Sequence, residues 1–270
     1  MGSESENPTW WGEFRQDIGE TRQWEVGPLR LLVQRLETEW LIAQEPAMLL
    51  EEEEEGWRSS IIDKTLGEGD YTNVSRFVGE PTSDILTVKP ALADRPVVSR
   101  PYTPFVVIAG EAGTIFVSTP LWFTVLVRQP AILLFETPTL RPSDTWFGPS
   151  TIDGEACYSS RTYGRLNLEN IPIPSYRAIT RIQVRNVSNG PLKVERISLP
   201  VPYLSLFANE AGDLWTETVT MTHRRETLLD EFTVDRSGPP PGFSLVSPPR
   251  LTPTGNMLVR AFSVLRTQSI

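Results

Sequence analysis

The apolar positions of this chain fall in short runs that proline and glycine keep interrupting. Within residues 102–136 (YTPFVVIAGEAGTIFVSTPLWFTVLVRQPAILLFE) the runs are Phe105–Ala109, Ile115–Val127 and Ala131–Phe135. They are rich in Val, Ile and Phe, and Pro104, Gly110, Gly113, Pro120 and Pro130 punctuate them. A helix does not survive such punctuation, because an interior proline removes a donor and clashes with the preceding turn. Buried strands joined by tight turns accept it, and β-branched and aromatic residues favour them. The pattern predicts an all-β protein.

Alternation elsewhere extends the prediction. Leu29, Leu31 and Val33 face one way and Arg30, Leu32 and Gln34 the other, and Trp40 and Ile42 repeat this after Glu37-Thr38. A period of two with a short polar break reads as a hairpin. Leu32 and Leu41 on the nominally polar face predict that this face is partly covered. Trp57–Ile62, Asn73–Gly79 and Asp84–Val88 read as further strands. Pro90, Pro96, Pro101 and Pro104 predict an extended crossover along a sheet edge, and Thr137–Asp153 reads as a loop.

Downstream, Tyr163–Glu169 and Ala178–Asn186 alternate, and Asn189-Gly190 predicts a hairpin that returns through Leu192–Leu199. Leu204–Asn209 and Leu214–Thr222 follow around a Gly212-Asp213 turn. Residues 222–231 alone have helical character, 236–256 read as a surface loop, and Met257–Leu265 closes the chain as a strand. The expected organisation is an N-terminal arm or short helix (1–23) carrying Trp10, Trp11, Phe14 and Ile18, whose tryptophans pack onto the body. An antiparallel β-sandwich domain (24–270) follows, with possible sub-halves 24–140 and 141–270 packed as two sandwiches around proline-rich connectors.

Charge narrows the partners. A formal charge of −9 argues against nucleic acid, which needs a basic surface. Part of that acidity is the run Glu51–Glu55, a solvated loop or an acidic docking tag. The single cysteine, Cys157, excludes internal disulfides and multi-cysteine metal sites. The N-terminus lacks a basic segment followed by an apolar one, and no apolar run approaches the ~18–20 residues of a membrane span. The expectation is a cytoplasmic protein with no direct membrane span.

Candidate chemistry is sparse. His223 is the only histidine, too few for a zinc site, and no nucleophile elbow, Walker loop or Rossmann spacing occurs. No catalytic residue and no cofactor is expected, and Cys157 reads as a buried structural thiol. Asp144 beside Trp146 and Phe147 is the best candidate for a carbohydrate or small-ligand site, and for glycosidase carboxylate chemistry. Arg161, Arg165, Arg177, Arg181 and Arg185 form a second cluster. The last three, four apart, share one strand face. They would bind an anion or pair with Glu169, Glu195 and Glu217. Trp10, Trp11 and Trp57 are the expected anchors of a protein interface, with Trp146.

One resemblance rests on DTWFG (Asp144–Gly148), GEACYSSRTYGRLNLE (Gly154–Glu169), RAITRIQVRN (Arg177–Asn186), LPVPYLSLF (Leu199–Phe207) and DLWT (Asp213–Thr216). These segments resemble an uncharacterised prokaryotic family, domain of unknown function 432, over roughly residues 25–265. PLWFTVLV (Pro120–Val127) is similar to a Pro-Ile-Glu segment of that family, but Trp122 and Phe123 sit where an acidic residue is usual. The resemblance implies a single β-rich unit and no mechanism. The expected function is therefore non-enzymatic contact with another protein, either a second copy or a membrane complex that the chain would serve as an accessory subunit on its cytoplasmic side. A carbohydrate- or anion-binding module is the alternative, and a carboxylate-dependent glycosidase the last choice.

Overall fold

A computed structural model describes residues 8–45, 56–67, 74–79, 82–127, 131–148, 150, 152–224, 229–238, 241–252 and 259–262. The acidic run Glu51–Glu55 lies outside the described residues. So do Pro81, Pro130 and the stretch 225–228 of the segment with helical character.

The chain begins with β1 (Gly12–Arg15), β2 (Thr21–Val26), β3 (Leu29–Arg35), β4 (Glu39–Gln44), β5 (Trp57–Ile62), β6 (Val74–Val78) and β7 (Ile85–Ala91). It continues through β8 (Val97–Pro101), β9 (Phe105–Val107) and β10 (Ala112–Pro120), then β11 (Trp122–Val127) and β12 (Ile132–Pro138). Next come β13 (Ser143–Phe147), β14 (Glu155–Gly164), β15 (Arg177–Asn186), β16 (Leu192–Val194) and β17 (Ile197–Leu199). The last are β18 (Leu206–Ala208), β19 (Leu214–Thr216), β20 (Val219–His223), β21 (Leu229–Val234), β22 (Ser244–Ser247) and β23 (Val259–Phe262). Two 3-10 turns, Leu168–Asn170 and Val201–Tyr203, are the helical elements among the described residues. The protein is all-β.

The strands form two interleaved compact units. The first comprises residues 1–91, 121–140 and 174–176, and the second 92–120, 141–173 and 177–270. The expected halves 24–140 and 141–270 are therefore not the compact units. Local strand signals carry no information about which unit a strand joins.

In the first unit a four-stranded sheet (β1-β7-β11-β12) and a five-stranded sheet (β5-β2-β3-β4-β6) meet over an aromatic core. Trp24 of β2 packs edge-on against Phe14 of β1 at 5.2 Å and Phe123 of β11 at 5.8 Å. Trp10 stacks on Phe123 at 5.2 Å between ring centroids. This is sandwich packing, with inward residues of both sheets interdigitating. The segment expected as an arm is thus built in from Trp10 onward. Trp10 packs onto the body as expected, and within β1 only Phe14 is buried. The hairpin β3–β4 has the expected register, Val33 opposite Ile42. The outer face around Leu32 and Leu41 is covered by Leu66, whose N–H donates to Gln34 Oε1 at 2.9 Å.

The second unit holds a mixed eight-stranded sheet, β22-β18-β19-β15-β20-β21-β23 with β10 on the other side of β15. A four-stranded sheet (β13-β14-β8-β17) and the pair β16-β9 complete it. Most pairs are antiparallel, but β14–β8, β15–β19 and β15–β20 are parallel. Gly164 lets the end of β14 approach β10, since a Cβ there would lie 2.6 Å from Ile115 Cδ1.

Several expectations change here. The proline-rich crossover contains β8, an interior strand with Val97, Val98 and Ser99 buried. Pro96 precedes this strand and Pro101 ends it, where a missing N–H costs little, whereas Pro90 lies within β7 opposite Phe123. The loop 137–153 contains β13. Residues 222–231 contribute to β20 and β21, so sheet pairing overrides the local helical preference. Asn189-Gly190 does not return the chain onto β15, because β16 pairs with β9 and β17 with β8. Asn186 explains the diversion: its Nδ2 donates to Val107 O at 2.9 Å and Gly190 O at 2.8 Å. Its Oδ1 accepts from Ser188 N at 3.1 Å. That side-chain turn leads the chain toward β9.

Candidate functional site

In the second unit, alternation along β13 puts Asp144 and Trp146 on one face, and the register sets Tyr158 and Ala156 of β14 opposite them. The Asp94-Arg95 turn before β8 completes an exposed corner. Arg95 donates to Asp144 Oδ1 at 3.1 Å and lies 3.9 Å from Asp94 Oδ2. Its guanidinium sits 5.2 Å from the centroid of the Tyr158 ring, and Tyr158 Oη donates to Asp94 Oδ1 at 3.0 Å. The Tyr158 phenol is held above its ordinary pKa by burial first, then by its bond to the Asp94 carboxylate. Trp146 is 47% exposed yet fixed. Its Nε1 donates to Ser150 O at 2.9 Å, and Gly154 lies so close that a Cβ there would come within 2.5 Å of that nitrogen. Of this corner the sequence had singled out Asp144 and Trp146. Asp94, Arg95 and Tyr158 were missed, although recognising β13 as a strand would have aligned Tyr158 with Asp144.

The arginine row is split by the structure. Arg177 is buried, its Nε donating to Ser118 Oγ at 2.8 Å and its Nη2 to Ser118 O at 3.1 Å. It braces β10 and β15 and offers no ligand surface. Arg181 and Arg185 are exposed on β15, and neither makes a side-chain hydrogen bond or ion pair with a described residue. Arg161 lies in β14, apart from that row in sequence. Arg165 covers Tyr102, 3.8 Å from its ring centroid. The expected acidic partners are engaged elsewhere: Glu195 with Lys193 at 2.7 Å and Glu217 with Arg236 at 2.7 Å.

The tryptophans expected at an interface divide as well. Trp10 is fully buried, and its Nε1 donates to Ser175 O at 2.9 Å, so it anchors the core and not a partner. Trp11, half-buried, sits edge-on to Trp10 at 5.3 Å. Trp57 opens the edge strand β5 and is half-buried. The first unit's open apolar surface is on its other side. There the edge strands β6 and β12 flank a cleft of about 120 Å³ lined by Trp40, Phe77, Val78, Val127, Ile132 and Leu134, with Gly79, Thr82 and Ser83. Val78 is 80%, Ile132 48% and Leu133 53% exposed.

Cys157 is buried against Val98 and Phe147. Burial pushes its thiol up to about 11, a Ser198 hydrogen bond pulling it back and the Glu155 charge adding to it. A thiol reagent at pH 8 will leave Cys157 unmodified in the native protein and label it after denaturation. Burial also raises the Glu155 carboxyl, which accepts from Ser198 Oγ at 3.2 Å. Its folded pKa exceeds its unfolded value (~4.3), so its contribution to stability falls as pH rises through that interval. Glu155→Gln, which keeps the acceptor and drops the charge, will raise the melting temperature at pH 7 and change it little at pH 4. His223 ends β20 opposite Asn186. Among the described residues no cluster of three His, Cys, Asp or Glu side chains is arranged to hold a metal ion. Among the described residues no helix is long and apolar enough to cross a membrane.

Neither the curated proteins nor the solved structures contain a match to this chain. A family model described as "Protein of unknown function (DUF432)" matches residues 10–266, nearly the whole length. The chain belongs to the DUF432 family.

Proposed function

We propose that this is a non-enzymatic protein that works by binding another polypeptide along the β12 edge of its first unit. One observation carries the reading: among the described residues β12 pairs with β11 alone, an apolar edge interrupted by a register shift near Leu134 and by Glu136. Residues 132–135 (Ile-Leu-Leu-Phe) bear no charge, Ile132 and Leu133 are about half exposed, and among the described residues no strand pairs with their outer edge. Such an edge presents a row of unpaired N–H and C=O groups, and proteins usually blunt it with charge, proline or a cover. The cleft beside it accepts an apolar side chain. Together they fit an extended apolar segment of a partner, whose backbone continues the ladder while one side chain fills the cleft. By contrast, the neighbouring edge β6 carries Arg76, which is paired with Glu39 at 3.0 and 2.9 Å.

In this reading the chain works in the cytoplasm. Its partner is a second copy or a subunit of a membrane complex, and the partner's mass tells them apart. Leu133→Lys places a charge on the edge without touching the buried core. It will reduce co-purification of the partner by about 100-fold, an affinity loss of roughly 2.7 kcal/mol. Leu251→Lys, at an exposed position of the second unit, will leave it unchanged. Equal recovery of the partner by both variants, or a wild-type chain that always travels alone, would overturn the proposal.

A further inference from the structure

We propose that the corner formed by Trp146, Tyr158, Asp94, Arg95 and Asp144 binds a neutral β-linked oligosaccharide, with one pyranose ring stacked on the Trp146 indole. The inference concerns the second unit alone and does not depend on the β12 edge.

An indole that remains 47% exposed while anchored at its nitrogen and backed by a glycine is held in place without being covered. Tryptophan joins an apolar body to a polar end, and here the polar end is already satisfied by Ser150 O. With the nitrogen satisfied, what is left for a ligand is apolar ring surface. A β-linked pyranose offers its match, a flat face of axial C–H groups ringed by equatorial hydroxyls. Ala156, exposed and directly opposite Trp146 on β14, leaves the floor beside the indole low enough for a ring to lie there.

The groups around the indole suit hydroxyls better than another protein surface. Asp144 lies two residues along the strand on the same face, roughly 7 Å away along the backbone, so its side chain borders the space beside the indole. Its side chain is 83% exposed, and Arg95 holds one of its oxygens. The second carboxylate, Asp94, is likewise oriented by Arg95 and Tyr158. Such oriented acceptors pair with vicinal hydroxyls while the guanidinium edge offers donors. Two carboxylates and one guanidinium leave the corner with a formal charge of about −1, which disfavours an anionic ligand. The apolar area is the indole with Ile152, 88% exposed on the adjoining loop, small for the core of a protein interface.

Isothermal titration with cellohexaose and xylohexaose, and with polygalacturonate as the charged comparison, tests the proposal on the full chain. The wild type will bind at least one neutral hexaose, and polygalacturonate more weakly. Trp146→Ala will weaken binding by about tenfold or more, as loss of a stacked aromatic surface requires, and Trp146→Phe will restore part of it. Asp144→Asn, a change at an exposed side chain, will weaken binding several-fold without moving the melting temperature, which separates recognition from folding. The proposal fails if neither neutral hexaose binds or if the polyanion is preferred. Unchanged affinity in either Trp146→Ala or Asp144→Asn would also overturn it.

Discussion

Trp10→Ala will lower the unfolding free energy by about 3–5 kcal/mol, the range for deleting a fully buried aromatic side chain. The residue lies in a stretch that is polar apart from Trp10, Trp11, Phe14 and Ile18. Its ring is nevertheless completely buried, stacks on Phe123, and supports Trp11 edge-on. Its indole N–H reaches Ser175 O across 165 positions of sequence. Alanine would open a cavity beside Phe123 and leave that carbonyl without its donor, two costs that add. Trp11→Ala, which removes a half-buried ring, will cost less than about 1.5 kcal/mol. Chemical denaturation of the two variants checks the ranking. Similar midpoints for both would mean that the N-terminal segment does not belong to the core.

The second large effect lies at Glu217, whose side chain is 3% exposed. Its oxygens accept from Ser205 N at 2.6 Å and Ser205 Oγ at 2.7 Å, and Arg236 Nη1 lies 2.7 Å away. Arg236 also donates to Tyr203 O at 2.6 Å. One carboxylate therefore ties β19 to the start of β18 and to the segment after β21. Glu217→Ala will cost about 3 kcal/mol, because it strands a buried N–H and hydroxyl and removes the buried carboxylate that the half-exposed Arg236 pairs with. Glu217→Gln retains acceptor capacity but not charge and will cost about 1–2 kcal/mol. A melting series of the wild type and both variants should rank them in that order.

The β class was legible because prolines and glycines punctuate apolar runs at strand length, as in Ile115–Val127, which divides into β10 and β11 at Leu121. The β3–β4 hairpin was legible from its period. Local pattern failed where a long-range partner decided the outcome. Asn189-Gly190 has hairpin chemistry, yet Asn186 reaches Val107 and diverts the chain. Val97–Pro101 sits among prolines, yet β14 and β17 hold it from both sides. Strand spacing correctly placed Arg177, Arg181 and Arg185 on one face. It could not reveal that the Arg177 end of that face is covered and the Arg185 end is open. The candidate corner was half legible: Asp144 and Trp146 stood out by composition, whereas Asp94, Arg95 and Tyr158 join them only through the pairing of β13 with β14. The exposed apolar edge at Ile132–Leu133 looked like core, because a strand's sequence does not say whether it has one neighbour or two.

We propose that β12 finds its second neighbour in another polypeptide. Amide hydrogen exchange across residues 131–138 tests it most directly, comparing the particle isolated from its native cells with the separated chain. Alternate amides of β12 will exchange slowly in the particle and fast in the separated chain, while β22, an edge strand of the second unit, will exchange alike in both. Identical exchange of β12 in the two samples would contradict it.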